Sequence, residues 1–273
     1  MANAGQLHID ERLGTTATGN ANTFATMYMV ALFYAIWTFV FSEKKFEKLL
    51  TLISLIIIVY ALLLSGGRKF VIVPIIFLYI TLIMKSDKQG RKHILFYTFG
   101  VAVIVVGLYF LIMNVEVLYE SIGYRMQFVI NMVTGTGDIG ASNALRKEMR
   151  ELAFTEGWKS PLFGHGFDSF KFIAKRKLSY FAYSHNNWTE LWYNNGLLGL
   201  AVYYLFYSKI AKYSWKIRNA NQPAALLGLA GIISIFIFEY GGVDYYTIQI
   251  QTFICLISVL VFAEKERAEY AQI

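Results

Sequence analysis

The apolar residues of this chain come in solid runs, not at helical or strand periods, and the runs are about as long as a bilayer is thick. Roughly 20 apolar residues in a helix cross the hydrocarbon core. Seven such stretches lie at residues 22–41, 46–64, 70–84, 94–113, 188–207, 224–240 and 245–263. Hydrophobic residues make up 56% of the 273 residues and charged ones only 16%, below the roughly 25% of soluble domains. The fold class is therefore all-α integral membrane, with about seven transmembrane helices and one large loop between the fourth and fifth. Pro74 predicts a kink or partial unwinding near the start of the short third stretch.

The net charge is +7. In a soluble protein this would raise the question of nucleic acid; here the cytosolic loops of a membrane protein account for it. Lys44, Lys45 and Lys48, then Lys85, Lys88, Arg91 and Lys92, then Lys209, Lys212, Lys216 and Arg218, and finally Lys265 and Arg267 all fall on one side. The opposite short segments carry only Arg12, Arg68 and Lys69. The first side is expected to be cytosolic. That divides the chain into an extracytoplasmic segment 1–21, four helices over 22–113, an extracytoplasmic loop 114–187, three helices over 188–263 and a cytosolic tail 264–273. A polar beginning that is placed outside without a signal sequence leads us to expect further spans upstream of this chain, the alternative being a short tail that translocates by itself. The lone Cys255 lies within a span, so no disulfide framework and no zinc site are expected.

Within the loop, Ala141-Ser142-Asn143 reads as a capped start for a short amphipathic helix over 144–156. Leu145, Met149 and Leu152 form its apolar stripe, and Arg146 and Arg150 share a neighbouring face. Arginine keeps its charge and grips phosphate oxygens through two parallel hydrogen bonds. Arg68, Arg125 and Arg146 are thus candidates for holding a diphosphate. Each also has a plain alternative: Arg68 snorkelling to headgroups, Arg125 as a solvated loop charge, Arg146 paired with Glu148 or Glu151. His185 sits at the junction of loop and membrane, beside Asn186 and Asn187 and one turn before Glu190. An imidazole there can accept a proton from a hydroxyl, or be an interfacial side chain without a role. Glu190 should face the protein interior or water. Glu239, Tyr240 and Asp244 lie at the outer end of the last two spans, where they can line the same cavity, close it from one side, or be plain solvated interfacial groups. No cluster has metal-ligand spacing.

These pieces, in order, resemble the O-antigen ligase and polysaccharide polymerase family of bacterial envelope enzymes. The resemblance is carried by Ser65-Gly66-Gly67-Arg68-Lys69, by Arg146 with Trp158 ahead of Pro161, by Pro161-Leu162-Phe163-Gly164-His165-Gly166, and by Ser184-His185-Asn186 with Glu190 and Gly196-Leu197-Leu198-Gly199. Arg12-Leu13-Gly14 with Asn20 and Asn22 is similar to the family's polar segment before a span, so the resemblance covers about 12–207. Family members have ten or more spans, and the chain matches their C-terminal two-thirds.

The resemblance implies metal-independent, inverting glycosyl transfer outside the bacterial cytoplasmic membrane, with no cofactor. The donor it implies is a glycan on undecaprenyl diphosphate. The acceptor is a glycan, lipid or protein, and other envelope-glycan assembly proteins are implied partners. Arg68 and Arg146 would stabilise the leaving diphosphate, and His185 would position or deprotonate the acceptor hydroxyl. Arg125, Arg150, Asn186 and Glu190 are the candidate substrate contacts. Polymerase is preferred over ligase. The alternative is a non-catalytic membrane fragment or a carrier of lipid-linked glycan. Carriers tend to place ionisable residues near the midplane of several helices, whereas this chain puts its candidate groups at the outer face and in the loop.

Overall fold

The computed structural model describes residues 13–15, 20–86, 90–137 and 140–270. The expectations for Arg12 and Lys88 lie outside the described residues. Four long helices come first: α1 (Ala21–Phe41), α2 (Lys45–Leu64), α3 (Lys69–Ser86) and α4 (Arg91–Asn114). The loop region follows, with α5 (Tyr124–Thr134), α6 (Ala141–Gly157) and α7 (Phe170–Leu178). The chain closes with α8 (Asn187–Ile217), α9 (Gln222–Phe238) and α10 (Ile248–Tyr270). Asparagine starts three of them: Asn20, Asn186 and Asn221 each accept a backbone N–H of the first turn, satisfying donors that a helix leaves unpaired.

Six helices among the described residues are long and apolar enough to cross a membrane: α1 to α4, α9 with its short 3-10 extension, and α10. The expected fifth stretch, 188–207, is not one of them. It falls in α8, whose opening turns carry Asn187, Thr189, Glu190, Asn194 and Asn195, and whose backbone leaves the helix at Gly196 (φ 64°, ψ −166°). At Pro74 the outcome is simpler: α3 stays helical through it. The residue sits in the second turn, where the hydrogen bond it forgoes is near the helix end.

The helices order themselves by burial. α9 is central, with 72% of its span buried in the protein, whereas α4 has 6% and turns side chains such as Phe96, Phe99 and Val103 outward. Phe33, Phe77 and Phe253 meet at the middle of the bundle, where Phe33 stacks on Phe77 at 4.6 Å between ring centroids. Aromatic pairs at such spacing add to plain area burial. Trp37 donates to the Pro223 carbonyl at 2.8 Å and Lys85 to the Val40 carbonyl at 2.6 Å, tying α1, α3 and α9 together at one end. The other end carries the start of α1, the α2–α3 turn, the loop helices, the start of α8 and the α9–α10 turn. One cavity opens among these segments.

The loop folds more than its sequence announces. α6 begins at Ala141, three residues ahead of the expected 144, after Gly140 with its positive φ, and without a side-chain cap. Its stripe is as expected: Met149 is fully buried with Ala153, Phe170, Ile173 and Tyr193, and Leu145 and Leu152 pack beside them. The sequence announces neither α5 nor α7. Both are short and of mixed composition, so neither shows a run or a clean period.

Candidate active site

The cavity at the loop end measures about 430 Å³ and is lined on its basic side by Arg68, Lys69, Arg125, Arg146 and His185. They reach it from separate segments of the chain. Ser65 starts the α2–α3 turn by donating its hydroxyl to the Leu62 carbonyl at 2.6 Å. The turn then aims Arg68 at the loop: its guanidinium donates to the Arg125 carbonyl (3.1 Å) and to Asn143 Oδ1 (2.9 Å). Arg125 answers by donating to the Gly66 carbonyl (3.4 Å) and to the Tyr124 hydroxyl (2.8 Å). Asn143, expected as a helix cap, thus serves the arginine instead.

Arg146 differs from both. Its Nε is buried and has no acceptor among the described residues. The plain alternative for Arg146, a pairing with Glu148 or Glu151, is not made; Glu151 pairs with Lys147 instead. Burial first, then Arg146 and Arg125, lower the Arg68 pKa. Burial also lowers that of Arg146, with Tyr183 opposing. Guanidinium stays protonated regardless, so these shifts express cations crowded together in a partly dry site.

His185 adopts φ 60°, a left-handed backbone that costs a non-glycine residue energy. Its ring lies 4.4 Å from the Tyr183 ring. Burial, then the positive field of Arg146, Lys69 and Arg150, lowers its pKa to about 3. At neutral pH the imidazole is uncharged and holds a free lone pair.

Beside the arginines stands Lys69, which the sequence presents only as a flanking charge. It lies 3.9 Å from Asp244 and 3.6 Å from the Phe238 ring centroid. Asp244 is the only acid among the described lining residues, so the wall carries four cations against one carboxylate. Burial raises the Asp244 pKa, with Lys69 opposing. Tyr183 and Tyr246, also unannounced by any motif, complete the wall.

Arg150, Asn186 and Glu190 do not line the cavity. Arg150 lies 5.7 Å from the Tyr240 ring and acts on the site only through its charge. Asn186 caps α8 and donates to the Tyr240 carbonyl at 3.1 Å. Glu190 is buried, accepting the Ser184 N–H at 2.6 Å and Asn194 Nδ2 at 3.4 Å. Asn187 accepts the N–H groups of Asp244 and Tyr245, both at 2.9 Å. These side chains hold the ends of the 184–186 and 240–245 segments that carry His185 and Asp244.

The glycine-rich turn after Pro161 is built into the break in α8. His165 and Gly166 donate to the Tyr193 and Asn194 carbonyls (2.9 and 2.8 Å), while Leu197 and Leu198 donate to Pro161 and Leu162 (2.8 and 3.2 Å). The backbones approach so closely that a Cβ on Gly164 would lie 2.4 Å from the Asn194 carbonyl, and one on Gly196 would lie 2.5 Å from that of Leu162. Glycine at these positions follows from that contact. The turn is received by the Tyr193 and Asn194 carbonyls just ahead of the break.

Together these features define a multi-pass helical membrane protein with a strongly cationic cavity at one end and a neutral histidine in its wall. The sequence profile of the O-antigen ligase family matches residues 53–204, more than half of the chain, and the chain belongs to that family. Membership implies a glycosyl-transferring activity of the ligase or polymerase type. No curated protein matches the chain.

Proposed function

We propose that the protein transfers or polymerises glycan from an undecaprenyl-diphosphate donor on the extracytoplasmic face of the bacterial cytoplasmic membrane, with α8 making a seventh crossing. The observation that carries this reading is Arg146: a buried guanidinium nitrogen without an acceptor, among three further cations. A buried donor left unpaired is costly, and a diphosphate supplies the missing acceptors together with the opposite charge.

In this reading Arg68, Arg146 and Lys69 hold the diphosphate, and Arg125 fixes Arg68. The acceptor hydroxyl attacks the anomeric carbon from the side opposite the diphosphate, the carbon–oxygen bond to phosphate breaks, and the configuration inverts. His185 takes the hydroxyl proton. The arginines, rather than a metal ion, meet the charge that grows on the leaving group, and such preorganised charge is commonly the largest catalytic term. Neutralising the cationic field by binding the anion also raises the proton affinity of His185, so the base strengthens as the donor arrives.

The test is to replace His185 by Ala and, separately, Arg146 by Ala in the native host, then resolve surface glycan by gel. Long chains lost with single repeats retained indicates a polymerase, the preferred reading. Full chains left on the carrier lipid indicates a ligase. Unchanged glycan in both variants overturns the catalytic assignment.

A further inference from the structure

A second depression, of about 490 Å³, adjoins the cationic cavity, within the roughly 300–1,000 Å³ that ligand pockets occupy. Tyr183 and Tyr246 line both, so they form the partition between the two. On the far side stand Phe167 and Phe181, which are 66% and 56% exposed. Lys171 is the one basic side chain among the described residues that line it, and it is paired with Asp168. Asp168 is held at φ 56°, a left-handed backbone unusual for a non-glycine residue. The depression therefore offers aromatic rings on several sides and a carboxylate and an ammonium between them.

That combination fits a sugar ring. A pyranose presents a face of C–H bonds, which is apolar, and a rim of hydroxyls, which donate and accept hydrogen bonds. Aromatic faces suit the first, and charged groups that make stronger hydrogen bonds suit the second. A diphosphate would find only one cation here, already paired. The rings also surround a hollow, whereas an aromatic belt at a membrane interface needs only outward rings. We infer that the depression bounded by Phe167, Phe181, Tyr183 and Tyr246, with Asp168 and Lys171 between them, is a carbohydrate subsite seating a pyranose ring of the donor or acceptor glycan. This rests on the glycosyl-transfer reading above. It places a bound ring beside Tyr183, whose own ring neighbours His185.

The test uses the full chain in lipid nanodiscs and, as probe, the oligosaccharide repeat released by mild acid from the host's surface polysaccharide, free of phosphate and lipid. Saturation-transfer NMR should show contact through the sugar C–H protons. Phe181→Ala should weaken binding about five- to tenfold, as the loss of one aromatic contact does, and Phe181→Trp should retain it. Arg146→Ala should leave binding of this phosphate-free probe intact while abolishing transfer, which separates this subsite from the diphosphate reading. Adding a lipid-free glycosyl diphosphate identifies the source: displacement of the probe marks a donor subsite, and simultaneous binding marks an acceptor subsite. Binding unchanged in Phe181→Ala, the result expected if these rings serve only the lipid interface, overturns the inference, as does absence of saturation transfer to the wild type.

Discussion

At the scale of single residues the site is a problem in charge. An ordinary histidine titrates near 6.5, but His185 is held at about 3 by burial and by the cations around it. With that pKa the group is deprotonated throughout the physiological range, and in the proposed reading protonation would remove the base. Transfer measured as kcat/KM should therefore stay flat from pH 7 down to about 5, where an unperturbed imidazole would already have cost roughly tenfold or more. Arg146→Ala removes one source of the shift, so the acid limb of any residual activity should move to higher pH. A limb near 6.5 in the wild type would overturn the reading of His185 as a base held at low pKa by its surroundings. Arg68, Arg125, Arg146 and His185 can be picked from the sequence because ionisable groups are conspicuous in an apolar chain. Lys69 cannot, because a charge at the mouth of a span is explained equally well by headgroups. Asn186 and Glu190 sit beside His185 in sequence but turn inward as supports, Glu190 for its near neighbours Ser184 and Asn194 and Asn186 for the Tyr240 carbonyl, more than fifty residues away.

Among the elements, the pairing of the 161–166 turn with the break in α8 organises the loop. Gly164 (φ 70°) and Gly196 (φ 64°) meet across it with no space for a side chain. Gly164→Ala and Gly196→Ala should each destabilise the protein by about 1–3 kcal/mol, the cost of a strained backbone site. Thermal unfolding in detergent checks this. Gly107, within α4, is the contrast: a Cβ there would meet no described atom within 4 Å. Gly107→Ala should be neutral or stabilising by up to about 1 kcal/mol through helix propensity. Six of the seven apolar runs become long apolar helices because run length needs no partner to be read. α8 resists because its polar opening is explained only by the segments packed on it: Ser184 at Glu190, the 244–245 amides at Asn187, and Ser169 and Phe170 at Asn194. α5 and α7 resist because their apolar faces are completed by other segments, as Phe170 and Ile173 are by Met149.

For the molecule as a whole, the segments that line the cationic cavity gather at one end of the bundle, and the proposed function puts the chemistry at that end. Its sidedness is tested by labelling. With Cys255→Ala as background, Lys171→Cys should react with a membrane-impermeant maleimide applied outside intact cells, and Lys209→Cys should not; the reverse pattern would invert the topology. The four backbone hydrogen bonds that join the 161–166 turn to α8 have a further consequence. At about 1 kcal/mol net each, releasing them together costs about 4 kcal/mol, so a detached turn makes up on the order of a thousandth of the population. The turn is thus a fixed part of the loop and does not lift away from α8 like a flap. In the proposed reading the lipid-linked donor reaches the site by lateral diffusion, so turnover should depend on the fluidity of the surrounding lipid.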